Sequence, residues 1–191
     1  MVSAPPALTF VVVSSDAKKS MADRKTPIAS FYANLTAFAH YYEEKWFPYT
    51  MPISDIYGLR AAFNLIAGDK TLYERHARIG SATRAAVKEA GLKLHLQSGY
   101  SNTVTVFDIP ECTDAKSILD EMRTKYNIML AGSFDELSGK VIRIGHMGEN
   151  ARLEHMVPAL EALSATLTDL GVTLQGNLAD LFLKHYREFQ D

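Results

Sequence analysis

An arginine inside an apolar, strand-like run is the feature of this sequence that most suggests chemistry. Residues 139–148 read GKVIRIGHMG, so Arg143 stands between two isoleucines and glycines follow closely. A planar guanidinium can donate two parallel, charge-assisted hydrogen bonds to a carboxylate and so fix its orientation. Strands also carry arginine on a solvent-facing side, where it joins surface salt bridges. The pattern alone therefore leaves a carboxylate site and a surface salt bridge open as roles for Arg143.

The other titratable residues show no recognised catalytic spacing. The sequence has no Gly-rich phosphate loop, no paired histidines at metal-binding spacing and no nucleophile elbow, so we predict no metal site. His146 could hydrogen-bond beside Arg143, but its place between glycines favours a structural role in the turn. Cys112 has no basic neighbour to activate its thiol and is expected to be inert. Four histidines are expected to be solvated or on helix surfaces: His40, His76, His95 and His185.

The first half of the chain contains the elements that lead towards this arginine. The β-branched run at residues 8–13 predicts a strand buried on both faces, which normally sits inside a larger sheet. Apolar residues at helical spacing predict an amphipathic helix that ends near Lys45. Two further helices are predicted from Ser54, a plausible N-cap, to Gly68, and over residues 71–90. These two helices could link two domains.

After Gly91 the hydrophobic pattern changes from helical spacing to alternation, which predicts a small α+β sandwich. Strands are predicted at residues 92–96, 103–107, 128–131 and 140–144, and helices at residues 114–126 and 153–170. A short helix is predicted beyond Gly176. The domain division that follows is residues 1–50, 51–91, 92–175 and 176–191. Arg143 then lies on the last strand of the sandwich.

The run GKVIRIGHMG closely resembles a signature of the class V, pyridoxal-phosphate-dependent aminotransferases of the alanine/serine–glyoxylate type. The resemblance implies an α/β fold, namely the C-terminal part of the fold type I transferase fold. This part contains the last strand of the large domain, the linking helices and the small α+β domain. It also implies that Arg143 binds the substrate carboxylate. The implied reaction moves an amino group from an amino acid to a 2-oxo acid.

A second segment, residues 47–60 (FPYTMPISDIYGLR), is similar to the proline-flanked loop that leads into the family's interdomain helix. In the family this loop crosses the dimer interface. The resemblance implies that Thr50 donates its hydroxyl to the cofactor phosphate of the other subunit. Phe47 stands where relatives often carry a tyrosine, which removes one hydroxyl from that place. Without the resemblance, a rigid interdomain turn with aromatic packing explains the segment equally well.

The opening segment SAPPAL, from Ser3 to Leu8, resembles the Pro-Pro-Gly-Leu segment that follows the family's Schiff-base lysine, with Ala7 in place of glycine. At the family spacing that lysine would precede Met1. The resemblance therefore implies that the chain carries no catalytic residue, is inactive alone and does not hold pyridoxal phosphate by itself. The alternative is a stand-alone small-domain protein with a binding or structural role.

Composition limits the partners. The chain of 191 residues is 47% hydrophobic and 22% charged, with a net charge of -2, so it has no excess positive charge for nucleic acid. A single cysteine favours a reducing compartment, and no apolar run is long enough to span a bilayer, so we expect a cytoplasmic protein without a membrane anchor. The resemblance implies a homodimer or a complementing N-terminal chain as partner, and small amino and 2-oxo acids as substrates.

Overall fold

The computed structural model describes residues 4–189, and the chain divides into two compact units between Leu65 and Ile66. Ser3 of the opening segment lies outside the described residues. So do Gln190 and Asp191 at the end of the predicted C-terminal region. Within the described residues, no helix has the length and apolar character needed to cross a membrane.

The first unit consists of short helices joined by irregular chain. Helix α1 spans Ser15–Ala22, a 3₁₀ helix spans Leu35–Phe38, and α2 begins in this unit and spans Ile53–Gly68. Ser14 caps α1, because its hydroxyl accepts a hydrogen bond of 3.1 Å from the backbone of Ala17. The α2 prediction is confirmed, although Ser54 lies inside the helix and does not cap it.

Two predictions for this unit are wrong. Residues 8–13 form no strand, and Phe10 and Val12 are 65% and 98% exposed. A strand needs a neighbouring edge for its backbone hydrogen bonds, and no described residue pairs with this segment. The helix expected to end near Lys45 is reduced to the single 3₁₀ turn Leu35–Phe38. Its aromatic residues pack into a cluster instead of along one helical face.

The second unit contains the hydrophobic core and a small antiparallel sheet. Strands β1 (Val104–Asp108) and β2 (Val141–Gly145) pair with Val106 opposite Arg143. The other two predicted strands are reduced to single bridges on either side, Leu94 to Phe107 and Ala131 to Arg143. Phe107, Ile142 and Ile144 are buried in the core, so the alternation of side chains places Val106 and Arg143 on the opposite face of the sheet.

Four helices complete this unit; the predictions for the first three are confirmed to within one residue at each end, and the short helix predicted beyond Gly176 is present. They are α3 (Leu72–Glu89), α4 (Ala115–Tyr126), α5 (Leu153–Asp169) and α6 (Leu178–Glu188). Asp114 caps α4 and Asn177 caps α6 with side-chain oxygens. Helix α3 packs mainly on α6, and α5 contacts both α4 and α6. The fourfold domain division stays a prediction.

Candidate functional site

Arg143 is held on β2 by its backbone and by one side-chain hydrogen bond. Its backbone N–H donates to Ala131 O over 2.7 Å on the side of β2 away from β1. Its Nε donates to the carbonyl oxygen of Gly132 over 2.5 Å. The guanidinium carbon lies 5.3 Å from the ring centroid of Phe134, which covers one face of the group. These contacts fix the plane of the guanidinium.

The two terminal Nη atoms of Arg143 remain available. Among residues 4–189, no acidic side chain lies within salt-bridge distance of Arg143, and no acceptor bonds to either Nη atom. Every buried side-chain polar atom in this part of the chain has a partner, so both Nη atoms reach solvent. Because Nε is occupied by Gly132, a carboxylate would approach end-on and bond to both Nη atoms. The arrangement suits binding and orientation of an anion.

His146 anchors the turn that follows β2. Its side chain is fully buried, its Nε2 lies 2.9 Å from Thr105 Oγ1, and its Nδ1 lies 3.2 Å from Asn102 O. A neutral ring with the proton on Nδ1 satisfies both contacts, since it donates to the carbonyl and accepts from the hydroxyl. Burial lowers the pKa of His146 from 6.5 to about 4. The geometry is that of a structural residue, as the sequence indicated.

His76 was not expected to take part, yet it holds the other end of the same turn. Its Nε2 accepts the backbone N–H of Gly148 over 3.2 Å, and its Nδ1 donates to Leu72 O over 2.6 Å. His76 lies on α3, far from the turn in sequence, and no local pattern links the two. His95 and His185 are also paired rather than solvated, with Asp108 at 2.7 Å and with Glu89 at 2.5 Å.

Thr50 lies in the first unit, in an exposed loop. Its hydroxyl bonds to no described residue. The loop is held by aromatic packing: the hydroxyl of Tyr49 donates to Tyr32 O over 3.0 Å, and the ring of Phe47 lies 5.5 Å from that of Phe38. Thr50 therefore belongs to the first unit and Arg143 to the second.

Neither the lysines nor the residue types that commonly bind metals form a recognisable site among residues 4–189. Every lysine of the sequence, from Lys18 to Lys184, is exposed. In residues 4–189, no group of three or more histidine, cysteine, aspartate or glutamate side chains is arranged to hold a metal ion. Cys112 is exposed and free. The unpaired guanidinium of Arg143 is thus the chemical feature on which a function can be built.

Comparison with known proteins gives close relatives, although no protein-family model matches the chain. An uncharacterised aminotransferase from Methanocaldococcus jannaschii is 34% identical over 173 residues, which cover 88% of this chain and 44% of that protein. The serine–glyoxylate aminotransferase of Methylorubrum extorquens is 34% identical over 175 residues, which cover 88% of this chain and 43% of that protein. The crystal structure of pyridoxamine–pyruvate aminotransferase from Mesorhizobium loti matches with a TM-score of 0.82 and 30% identity. The match covers 92% of this chain and 46% of that one.

The chain spans less than half the length of these relatives. Its fold is the C-terminal part of the fold type I aminotransferase fold, a mixed α/β arrangement, which confirms the predicted fold class. Within that fold the chain is related to the class V aminotransferases of the alanine/serine–glyoxylate and pyridoxamine–pyruvate type, and it corresponds to their C-terminal portion. The resemblance found in the sequence is confirmed.

Proposed function

We propose that this chain forms the carboxylate-binding part of a pyridoxal-phosphate-dependent aminotransferase site, which moves an amino group from an amino acid to a 2-oxo acid. The observation that carries the proposal is the state of Arg143, a partly buried guanidinium with no anionic partner among the described residues. Both substrates of such a reaction carry a carboxylate next to the reacting carbon. A planar fork that grips this carboxylate orients the reacting carbon for proton transfer.

The described residues fit only part of the cofactor's needs. Bound pyridoxal phosphate would supply the electron sink of the reaction. The free, exposed hydroxyl of Thr50 fits a phosphate oxygen as a hydrogen-bond donor. None of the lysines fits a covalent attachment site, because none is buried in surroundings that would favour its neutral form. The chain therefore contributes substrate binding and one phosphate contact, and we assign it no covalent step.

The proposed partner is either a second copy of this chain or a different, complementing chain. In both cases the attachment lysine would come from a complementing N-terminal portion. Thr50 would serve the cofactor of the other subunit, since the exposed loop leaves its hydroxyl open to an outside group. Alanine, serine, glyoxylate and pyruvate are candidate substrates. The cytoplasm remains the proposed compartment, because the only cysteine is free and exposed.

The proposal is tested by the binding of pyruvate to the full 191-residue chain, measured by calorimetry and by shifts of the backbone amide resonances of Gly132 and Phe134, which contact Arg143. We expect Arg143→Lys to weaken binding by about tenfold or more, because a lysine keeps the charge but loses the two-pronged contact. Lys140→Arg is the matched control, as Lys140 is an exposed cation on the same segment, and it should bind normally. Pyruvamide, which lacks the carboxylate charge, should bind weakly to every form.

Unchanged pyruvate binding in the Arg143→Lys chain would show that Arg143 is no carboxylate site, and the proposed function would fall with it. A stand-alone binding role is the second candidate, favoured by the complete core of the second unit and by the exposure of every lysine. Co-expression of this chain with the lysine-containing N-terminal portion of a relative distinguishes the enzyme from the stand-alone binding protein. Co-purification with amino transfer from alanine to glyoxylate supports the enzyme, and a chain that stays separate and folded supports the binding protein.

A further inference from the structure

A second partly buried arginine in the second unit also lacks an anion. Arg84 lies on α3, and its Nη1 donates to the carbonyl oxygen of Ser101 over 3.0 Å. Its guanidinium carbon lies 4.8 Å from the ring centroid of Tyr100. Among residues 4–189, no carboxylate lies within salt-bridge distance of it, and burial lowers the pKa of its guanidinium. Nε and Nη2 have no protein partner and are not buried, so they face open space.

Arg84 also lines a cavity of about 140 Å³ between α3, β1 and the loop at residues 99–101. Its apolar walls are formed by Leu94, Leu96, Val104 and Val106, and Arg84 is the charged residue that lines it. The nearby polar groups are already committed. The hydroxyl of Thr105 bonds to His146, and that of Tyr100 donates to Leu96 O over 3.1 Å.

An unpaired, partly desolvated cation is unfavourable, and an anion that pairs with it recovers part of this cost. Holding the loop explains only one of the five N–H donors of Arg84, the one that bonds to Ser101. The apolar walls leave no second charged group for a larger polar ligand. A cavity of roughly 150 Å³ accepts a molecule of the size of benzene, so about four to six carbon atoms fit here.

We propose that this cavity binds a small aliphatic monocarboxylate, with the carboxylate on Arg84 and the hydrocarbon chain between the leucines and valines. The site differs from that of Arg143, which has no part in the lining of the cavity. It does not depend on the proposed amino-transfer role, because it uses none of the residues assigned to that role.

The test uses the full chain and 3-methylbutanoate as the probe, with binding measured by calorimetry and by shifts of the Tyr100 and Ser101 amide resonances. We expect binding that Arg84→Gln weakens by about tenfold or more, because a charged hydrogen-bonding partner of the carboxylate is lost. Lys88→Gln is the matched control, since it removes an exposed cation from the same helix, and it should leave the binding and these shifts unchanged. 3-Methylbutanol tests the need for charge and acetate tests the need for the apolar walls, and both should bind more weakly.

Leu96→Trp provides a second route to the same test if loss of Arg84 disturbs the loop. The side chain of Leu96 is 45% exposed, so a larger residue can replace it without entering the core, and it should block the cavity while Arg84 stays in place. Full binding in either the Arg84→Gln or the Leu96→Trp chain would overturn the proposal. So would a failure of 3-methylbutanoate to bind, or an equal loss of binding in the Lys88→Gln chain.

Discussion

At the scale of single residues, the strand that carries Arg143 ends in a turn held by two histidines. His146 fastens the turn to β1 and to Asn102, and His76 accepts a hydrogen bond from the backbone of Gly148. In the neutral ring Nδ1–H donates to Asn102 O and Nε2 accepts from the Thr105 hydroxyl, and protonation would remove this acceptor. The position of the turn therefore depends on His146 staying uncharged.

This requirement makes stability depend on pH. The pKa of His146 is 6.5 in its ordinary state and about 4 in the folded chain, so the unfolded chain binds the proton more readily. The stabilisation is fully present above the unfolded pKa and is lost as the pH falls through the folded pKa. Between about pH 6.5 and about pH 4.5 the free energy of unfolding should fall by about 2 kcal/mol through this residue.

The measurement is urea unfolding at both pH values, with the wild-type chain compared with His146→Gln. The glutamine can donate to Asn102 and accept from Thr105, but it does not titrate, so this part of the pH dependence should disappear. His40→Gln is the control, because His40 is exposed, and it should keep the wild-type dependence. An identical pH dependence in the His146→Gln chain would rule out His146 as its source.

The sequence singled out Arg143 because an arginine within a β-branched run is unusual, and the resemblance to the family motif is the source of its proposed role. Arg84 and His76 could not be located in this way. Each sits on an ordinary amphipathic helix, and its partners lie 17 and 72 positions away along the chain. Their contacts form only when the helix packs on the sheet, and the periodicity of the sequence does not indicate which residues then come together.

At the scale of elements, the accuracy of the predictions depends on where each element finds its partners. Helices α3 to α6 were predicted well because each has a continuous apolar face and a recognisable end. Asp114 and Asn177 cap the starts of α4 and α6, and glycines with positive φ, Gly91 and Gly171, follow α3 and α5. The prediction of a strand at residues 8–13 was wrong because an apolar run gives no information about whether another strand is available to pair with it. Two of the four strands of the sheet form only single bridges, since edge strands are short and irregular.

The end of α3 provides a test at this scale. Gly91 has a φ of +87°, and an added Cβ would only touch the side chain of Gln175 at 3.4 Å, so it is the backbone conformation that opposes a side chain there. We expect Gly91→Ala to lower the free energy of unfolding by about 1–2 kcal/mol. Gly68, at the end of α2, has open space and no positive φ, so Gly68→Ala should be neutral or stabilising. Urea unfolding of both variants decides, and equal effects would contradict this account of Gly91.

At the scale of the whole molecule, the first unit exposes much apolar surface. Its large exposed side chains include Phe10, Val12, Phe31, Tyr32, Trp46 and Tyr57. Exposed side chains of this size and number are typical of association surfaces in soluble proteins. This agrees with the proposal that the chain pairs with a second copy or with a complementing chain.

We therefore expect the purified chain to self-associate, as measured by light scattering over a range of concentrations. Val12→Asp should reduce association without affecting the fold, because the side chain of Val12 is 98% exposed. Tyr73→Asp is the control, since Tyr73 is 87% exposed but belongs to the second unit. A monodisperse monomer at all concentrations would count against the interface role of the first unit.

The last prediction is that the chain alone will not hold pyridoxal phosphate on a specific lysine and will not transfer an amino group. An exposed lysine has a pKa of about 10.4 and stays protonated near neutral pH, so it is a weak nucleophile. Ion pairs strengthen this effect: the carboxylates of Asp120, Asp169 and Glu89 raise the pKa values of Lys116, Lys125 and Lys184. After incubation with pyridoxal phosphate and reduction with borohydride, peptide mass spectrometry should find scattered, substoichiometric labelling at the level of Nα-acetyl-lysine. An assay with alanine and glyoxylate should show no turnover, and one stoichiometrically labelled lysine together with turnover would refute the prediction.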